Sequence, residues 1–329
     1  MPAEAITLAD VLAAREVIGA RLHRTPTFSS TTLARLSGGG QVFLKAELFQ
    51  RTGSFKPRGV LNKLASLTPD EKERGVIGIS AGNHAQALAY CSALEGIDAL
   101  VVMWQGASEQ KVAATRDYGA RVDLDASTPA GAFERLEELQ AQSGRVLVHP
   151  FDDPLIMAGQ GTVGLELIED VPQLDLVVVP VGGGGLVAGV ATAVKGLKPE
   201  ARIVAVEPEG SNALQAALAA GEPVPVEPRS IADGLNAPFA GLNALSVCQS
   251  LVDEVVLVSE AEVLAGTRFL YECAKLACEP AGAVSTAALL AGKVELQRGG
   301  SAVLVVSGGN IAPHIASDIL NPREGWHPS

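Results

Sequence analysis

A lysine held between an aromatic residue and a proline is the position best placed to do chemistry, in Ser54-Phe55-Lys56-Pro57-Arg58-Gly59. It follows the apolar run Val42-Phe43-Leu44 and the polar turn Gln50-Arg51-Thr52-Gly53, and precedes the helix-like Val60-Leu61-Asn62-Lys63-Leu64. The spacing puts an amine at a strand-to-helix corner. Shielding from water there favours the neutral, nucleophilic amine that a Schiff base requires. Taken alone, a lysine is a solvated surface charge. Three glycine-containing turns elsewhere each supply something a lysine-bound cofactor needs.

Ser80-Ala81-Gly82-Asn83-His84 closes a strand-like run and opens a helical one. Amides at a helix start point outward with the positive end of the dipole behind them, so this turn can grip an anion such as a substrate carboxylate. The same residues also describe an ordinary turn capped by Ser80 or Asn83. Gly182-Gly183-Gly184-Gly185-Leu186 follows the most apolar strand, and four uncovered backbone units can wrap a phosphate. The phosphate has more than one possible owner. Gly183-Gly184-Gly185-Leu186-Val187-Ala188 also satisfies G-x-G-x-x-A, and Glu207 ends the next strand where a dinucleotide-binding acid belongs, so a dinucleotide-dependent oxidoreductase is the competing reading. A P-loop is excluded, because no Gly-Lys-Ser/Thr follows. Ser307-Gly308-Gly309-Asn310 ends the last strand and offers a hydroxyl to a ring nitrogen beside glycines that admit a flat ring. Cys278-Glu279-Pro280 presents a carboxylate at a helix start, where capping is the commoner role.

These turns need elements to hold them. Runs near 76–79, 99–103, 121–124 and 146–148 read as strands, with helical patterns near 83–94, 109–118 and 130–142 between them. Near-continuous apolar runs at 174–181, 203–206, 255–258 and 302–306 read as central strands covered on both faces. Ser259 and Glu262 form a capping box opening a helix to about Lys275, and the proline-rich 221–229 is a surface connection. An amphipathic helix over 8–21 precedes an extended stretch set by Pro26. Strand-helix alternation implies an α/β protein with parallel sheets, in which a smaller unit over 75–150 is inserted between 1–74 and 151–329.

Composition narrows the classes. A chain of 329 residues with 47% hydrophobic content is long enough for a large core. A net charge of -12 without a Lys/Arg run argues against nucleic acid. The apolar runs are too short to span a membrane, and the amino end lacks a basic, then apolar leader, so a cytoplasmic location is expected. Cys91, Cys248, Cys273 and Cys278 contain no C-x-x-C pair and are expected as buried thiols, without a zinc site.

On the ordered set Ser54-Phe55-Lys56-Pro57-Arg58-Gly59, Ser80-Ala81-Gly82-Asn83-His84, Ala158-Gly159-Gln160-Gly161-Thr162, the four glycines, Ala232-Asp233-Gly234 and Ser307-Gly308-Gly309-Asn310, the chain resembles the fold-type-II pyridoxal-phosphate enzymes. Within them it resembles the serine/threonine dehydratase and serine racemase group, over nearly its whole length. The resemblance implies a tryptophan-synthase-β-like fold of two open, twisted, mostly parallel sheets flanked by helices. It implies pyridoxal 5′-phosphate bound as a Schiff base to Lys56, which is also the base at the substrate α-carbon. Phe55 and Asn83 would contact the ring, the latter at its 3′ oxygen; Gly182, Gly183, Gly184, Gly185 and Leu186 would hold the phosphate, Ser307 would meet the ring nitrogen, and Glu279 would complete the cofactor site. Ser80, Ala81, Gly82, Asn83 and His84 would bind the substrate.

The implied reaction is β-elimination from L-threonine or L-serine to a 2-oxo acid and ammonia, with serine racemase or hydroxyaspartate dehydratase as alternatives. Racemases of the group carry a second serine where Ala81 stands, which favours the dehydratase. The racemase-type cation site would use Glu207 and a nearby acid, and Ser211-Asn212-Ala213 supplies none, so no metal is expected. Arg51, Gln86 and Tyr118 fall where some short relatives bind a nucleotide, though as isolated residues they read as surface or packing positions. The chain stops about twenty residues after Asn310, so isoleucine feedback through a following domain is not expected. Relatives lead to the expectation of a homodimer or homotetramer.

Overall fold

The computed structural model describes residues 6–321. Its strands are β1 (Thr27–Ser29), β2 (Gln41–Ala46), β3 (Val76–Ile79), β4 (Ala99–Trp104), β5 (Arg121–Ala126), β6 (Val146–Leu147), β7 (Leu176–Pro180), β8 (Arg202–Pro208), β9 (Glu254–Val258) and β10 (Ser301–Val306). They form a six-stranded sheet in the order β1-β2-β10-β7-β8-β9 and a four-stranded sheet in the order β5-β4-β3-β6. Every pairing is parallel except β1 with β2. The burial of β7 and β10 is complete along both strands, as their unbroken apolar sequences require of strands with helices on both faces.

Separate apolar cores cover the faces of the larger sheet, one containing Val177, Val179, Val187 and Val303, the other Val178, Val204, Val284 and Leu304. A further core joins the smaller sheet, through Val76 and Val101, to Val60, Leu61 and Leu64 of the helix Pro57–Ala65. The helices Pro154–Asp170 and Gly185–Leu197 cross through glycines. A side chain at Gly189 would run into the Met157 carbonyl and lie 2.6 Å from Gly161 N, so the crossing cannot accept one.

β4, β5, β8, β9 and β10 extend one or two residues beyond their apolar runs, β3 matches its run, and β6 and β7 are shorter than theirs, β7 at both ends, because an apolar run continues into the flanking turns where ladder pairing has stopped. The edge strand β1 and the short helix Thr31–Leu36 are too brief for a periodic pattern to reveal. The helix opened by the Ser259–Glu262 capping box ends at Phe269 and passes into a π-helical turn, Leu270–Ala274. That turn buries only Leu270 and leaves Cys273 exposed, which corrects the expectation of four buried thiols; Cys91, Cys248 and Cys278 are buried, and all four are free.

Candidate active site

β2, β10 and β7 are neighbours in one parallel sheet, so the chain segments leaving their carboxyl ends meet. Lys56 follows β2 and is the N-cap residue of the helix Pro57–Ala65. Ser307 follows β10, and the four glycines follow β7. Ser54 bridges to Gly308, and Phe55 N donates to the Ser307 carbonyl at 3.2 Å, which pins the lysine segment to the end of β10. From the smaller sheet, β3 delivers Asn83 and β6 delivers Pro150 and Phe151. One cavity results, lined by Phe55, Lys56, Asn83, the glycines, Glu279 and Ser307 among others.

Lys56 Nζ donates to the Pro150 carbonyl at 2.7 Å and lies 5.2 Å from the Phe55 ring centroid. Burial pushes its pKa from 10.5 down to about 8, while Glu279 works weakly the other way. The lysine corner is braced from behind by Arg58. Its guanidinium donates to both oxygens of Glu47, each at 2.8 Å, and to both oxygens of Glu166, at 2.7 and 3.0 Å. Lys45 completes the cluster with Glu166 at 2.6 Å and the Thr25 carbonyl at 2.8 Å. Lys45 and Glu47 are 0% exposed and Arg58 1%, so these charges are stable only as a set.

A single backbone carbonyl fixes which way the amides point. Thr52 O can only accept, so the Asn310 atom 2.7 Å from it is Nδ2. The same Nδ2 is 2.7 Å from Asn83, which must therefore turn Oδ1 toward it. Asn83 Nδ2 is left to donate to Glu279 Oε1 at 2.6 Å, with its second hydrogen free for a cavity ligand. Glu279 is the N-cap residue of the helix Pro280–Leu290, yet it makes no side-chain cap. It turns into the cavity instead, and burial, aided by Asp233, raises its pKa from 4.5 to about 7.

The remaining expected residues divide between the cavity wall and its supports. Gly184 is left-handed (φ 93°) and caps the helix Gly185–Leu197 without a side chain, leaving that N-terminus open to an anion. Ser307 lines the cavity. Of the turn 80–84, only Asn83 reaches the cavity lining; Ser80 Oγ accepts from Gly82 N at 3.0 Å, and Ala81 and Gly82 are half-buried beside it. His84 is buried, with Nε2 2.9 Å from the Val148 carbonyl, and burial lowers its pKa to about 3. It is a neutral imidazole whose Nδ1 has no partner among the described residues.

Glu207 caps the helix Ala213–Ala220, accepting from Leu214 N at 2.7 Å and Gln215 N at 2.9 Å, which engages both its oxygens. Among the described residues no group of three or more His, Cys, Asp and Glu could hold a metal. Tyr118 packs edge-on against Tyr90 with centroids 5.8 Å apart, Gln86 is buried, and Arg51 is exposed. Pro150, Phe151, Ile156, Gln160 and Leu235 were not legible as lining residues. Pro150 and Phe151 had one available signal, their place just after a strand-like run.

The set combines a low-pKa amine, an uncapped helix start behind glycines, an amide N–H and a hydroxyl, which is the donor set for a phosphorylated, aldehyde-bearing aromatic ring. A family model described as pyridoxal-phosphate dependent enzyme matches residues 20–308. The chain belongs to the pyridoxal-phosphate dependent enzymes. It is 41% identical over 317 residues to the L-threonine ammonia-lyase of Thermotoga maritima, covering 96% of this chain and 78% of that one. It is 40% identical to the catabolic L-threonine dehydratase of Escherichia coli, covering 93% of each. Among solved structures, maize serine racemase aligns with a TM-score of 0.91 at 35% identity, over 96% of this chain and 97% of the other. A threonine deaminase from T.th. aligns with a TM-score of 0.87 at 40% identity, over 93% and 99%. Fold and cofactor follow: a fold-type-II α/β enzyme that uses pyridoxal 5′-phosphate. Among the described residues no helix is long and apolar enough to cross a membrane.

Proposed function

We propose that the protein is a threonine/serine ammonia-lyase, converting L-threonine to 2-oxobutanoate and L-serine to pyruvate with release of ammonia. The observation that carries this reading is the low-pKa amine of Lys56 facing Asn83, Ser307 and the glycine loop in one cavity. Pyridoxal phosphate, when bound, supplies the electron sink that makes the substrate α-proton removable. Lys56 holds the cofactor and, as a neutral amine, accepts that proton; the Pro150 carbonyl keeps Nζ in place for both tasks. Gly182, Gly183, Gly184, Gly185 and Leu186 would hold the phosphate at a helix start, the remaining hydrogen of Asn83 Nδ2 would serve the 3′ oxygen, and the neutral Ser307 hydroxyl would serve the ring nitrogen. Being neutral, Ser307 would not stabilise a protonated ring nitrogen as a carboxylate would, which favours elimination of the β-hydroxyl. In the turn Ser80-Ala81-Gly82-Asn83-His84, Gly82 N is engaged by Ser80 Oγ, and the remaining amides, at the start of the helix Asn83–Glu95, would bind the substrate carboxylate beside Asn83.

The similarity to maize serine racemase gives a second reading. Racemisation needs a proton donor on the face opposite Lys56, and Ala81 has no transferable proton, which favours elimination.

We also propose that residues 75–150 form an inserted unit within 1–74 and 151–329. The helix Pro57–Ala65 is its junction, because Val60, Leu61 and Leu64 share a core with Val76 and Leu88. A cytoplasmic homo-oligomer, dimer or tetramer, completes the reading. Free thiols at Cys91, Cys248 and Cys278 support the location. The exposed pair of Phe28, in edge strand β1, and Phe49 supports the assembly, its members 43% and 47% exposed.

The test is the absorbance of the purified protein before and after borohydride, with 2-oxo acid assayed on addition of L-threonine. A visible band bleached by borohydride, a label at Lys56 and 2-oxobutanoate release are expected. Full ammonia release from threonine by Lys56→Ala would overturn the assignment.

A further inference from the structure

Phe151 is the residue next to the carbonyl that holds Lys56 Nζ, and it lines the same cavity. The ring meets the His149 ring edge-on at 4.6 Å and the Phe239 ring at 5.6 Å. The ring also packs against Gly183, where an added Cβ would run into its Cγ. The backbone is fixed as well. His149 Nδ1 accepts from Phe151 N at 3.2 Å and Asp152 N at 2.8 Å, so the imidazole proton sits on Nε2, and burial keeps the ring neutral. The Asp152 carboxylate accepts from Leu242 N, Asn243 N and Ala244 N at 2.9, 3.0 and 3.2 Å, which clamps the turn to the start of the helix Leu242–Leu251.

The apolar lining residues of the cavity include Pro150, Phe151, Ile156, Pro180 and Leu235. The polar lining groups are largely committed; Gln160 Oε1 accepts from Gly59 N at 3.3 Å, and Glu279 accepts from Asn83. A substrate amine must take the place of Lys56 Nζ, its carboxylate must go to the polar turn at Asn83, and its β-carbon is two bonds from the amine. The β-substituent therefore lies within reach of the 150–151 segment. L-Threonine carries a methyl there and L-serine does not.

We propose that Phe151 is the specificity-determining residue of the site, an apolar wall that packs on the β-methyl and makes L-threonine the preferred substrate over L-serine. This rests on the ammonia-lyase reading above. One methyl against a preformed apolar wall is worth about tenfold or more in kcat/KM. Preorganisation by His149, Phe239 and Gly183 keeps that gain from being spent on ordering the ring.

The test compares wild type with Phe151→Ala and the milder Phe151→Leu, all as holoenzymes. Wild type is expected to favour threonine over serine in kcat/KM by about tenfold or more. Phe151→Ala should lose most of that ratio, chiefly through threonine, with serine turnover changed less than about threefold, and Phe151→Leu should keep part of it. A second readout needs no turnover. L-2-Aminobutyrate and L-alanine have the carbon skeletons of threonine and serine without the leaving hydroxyl, and their Kd values follow from the change in bound-cofactor absorbance. Wild type should bind aminobutyrate more tightly, and Phe151→Ala should not. If Phe151→Ala and Phe151→Leu bind cofactor normally yet keep the wild-type preference in both readouts, the proposal is overturned. If Phe151→Ala does not fold, Phe151→Leu decides it by the same criterion. If wild type releases no 2-oxo acid from either substrate, the lyase reading fails, while the aminobutyrate-to-alanine ratio still reports on the wall.

Discussion

Lys56 and Glu279 share one cavity, and burial moves both toward neutrality near pH 7 to 8. The lysine shift is useful, since capture of an aldehyde needs the free amine. The rate at which apoenzyme takes up pyridoxal phosphate should therefore rise with pH to a midpoint near 8 and then level off. A rate still climbing toward pH 10.5, the ordinary lysine value, would show that Lys56 is solvated. Glu279 carries the opposite account. Its folded pKa of about 7 lies above the unfolded 4.5, so its contribution to stability is present below pH 4.5 and is lost as pH rises through 7. Glu279→Gln keeps an acceptor for Asn83 Nδ2 and removes the buried charge. In urea titrations of apoenzyme it should be more stable than wild type at pH 8 by about 3 kcal/mol, a gap that shrinks toward pH 5. An equal gap at both pH values would mean that the effect is packing and not ionisation.

Elements differ in how much their sequences reveal. The strands that deliver the glycines and Ser307 were legible because doubly covered parallel strands are almost wholly apolar, the strand before Lys56 by its apolar centre Val42-Phe43-Leu44, and the turns because glycine and proline punctuate them. Glu279 looked like a cap and is not one, since the side chain prefers Asn83 across the cavity, a partner 196 residues away. The charges of Lys45, Glu47 and Arg58 gave no sign of burial, because nothing local distinguishes a charge paired in three dimensions from one in water. Phe151 was missed for a related reason: a residue in a connecting turn acquires its role from what two sheets bring together. The buried cluster also sets the start of the helix Pro57–Ala65. Arg58→Met should leave Glu47 and Glu166 without their main counter-charge and cost about 3–5 kcal/mol in urea unfolding. A loss below about 1 kcal/mol would show that water reaches the site and replaces the guanidinium.

At the scale of the whole molecule, the cavity lies where the carboxyl ends of two sheets converge, so its wall has two owners. Lys111, on the helix Glu109–Asp117 beside the smaller sheet, pairs with Asp233 in the turn Asp233–Leu235. Gly234 and Leu235 of that turn line the cavity. This ion pair ties the two sides together at the rim. Asp233 is more than half exposed, so the pair is worth only about 0.2–1 kcal/mol, enough to change cofactor retention by up to about fivefold and no more. Exposure also makes it sensitive to salt, since screening weakens surface pairs and leaves buried ones almost untouched. Lys111→Met should release pyridoxal phosphate up to about fivefold faster on dilution at low salt. Raising salt from about 0.05 to 0.5 M should accelerate release from wild type toward the rate of the variant, which should itself respond much less. If both proteins respond equally to salt, the rim pair does not couple the two sides, and the buried contacts around Lys56 and Phe151 hold the cavity closed by themselves.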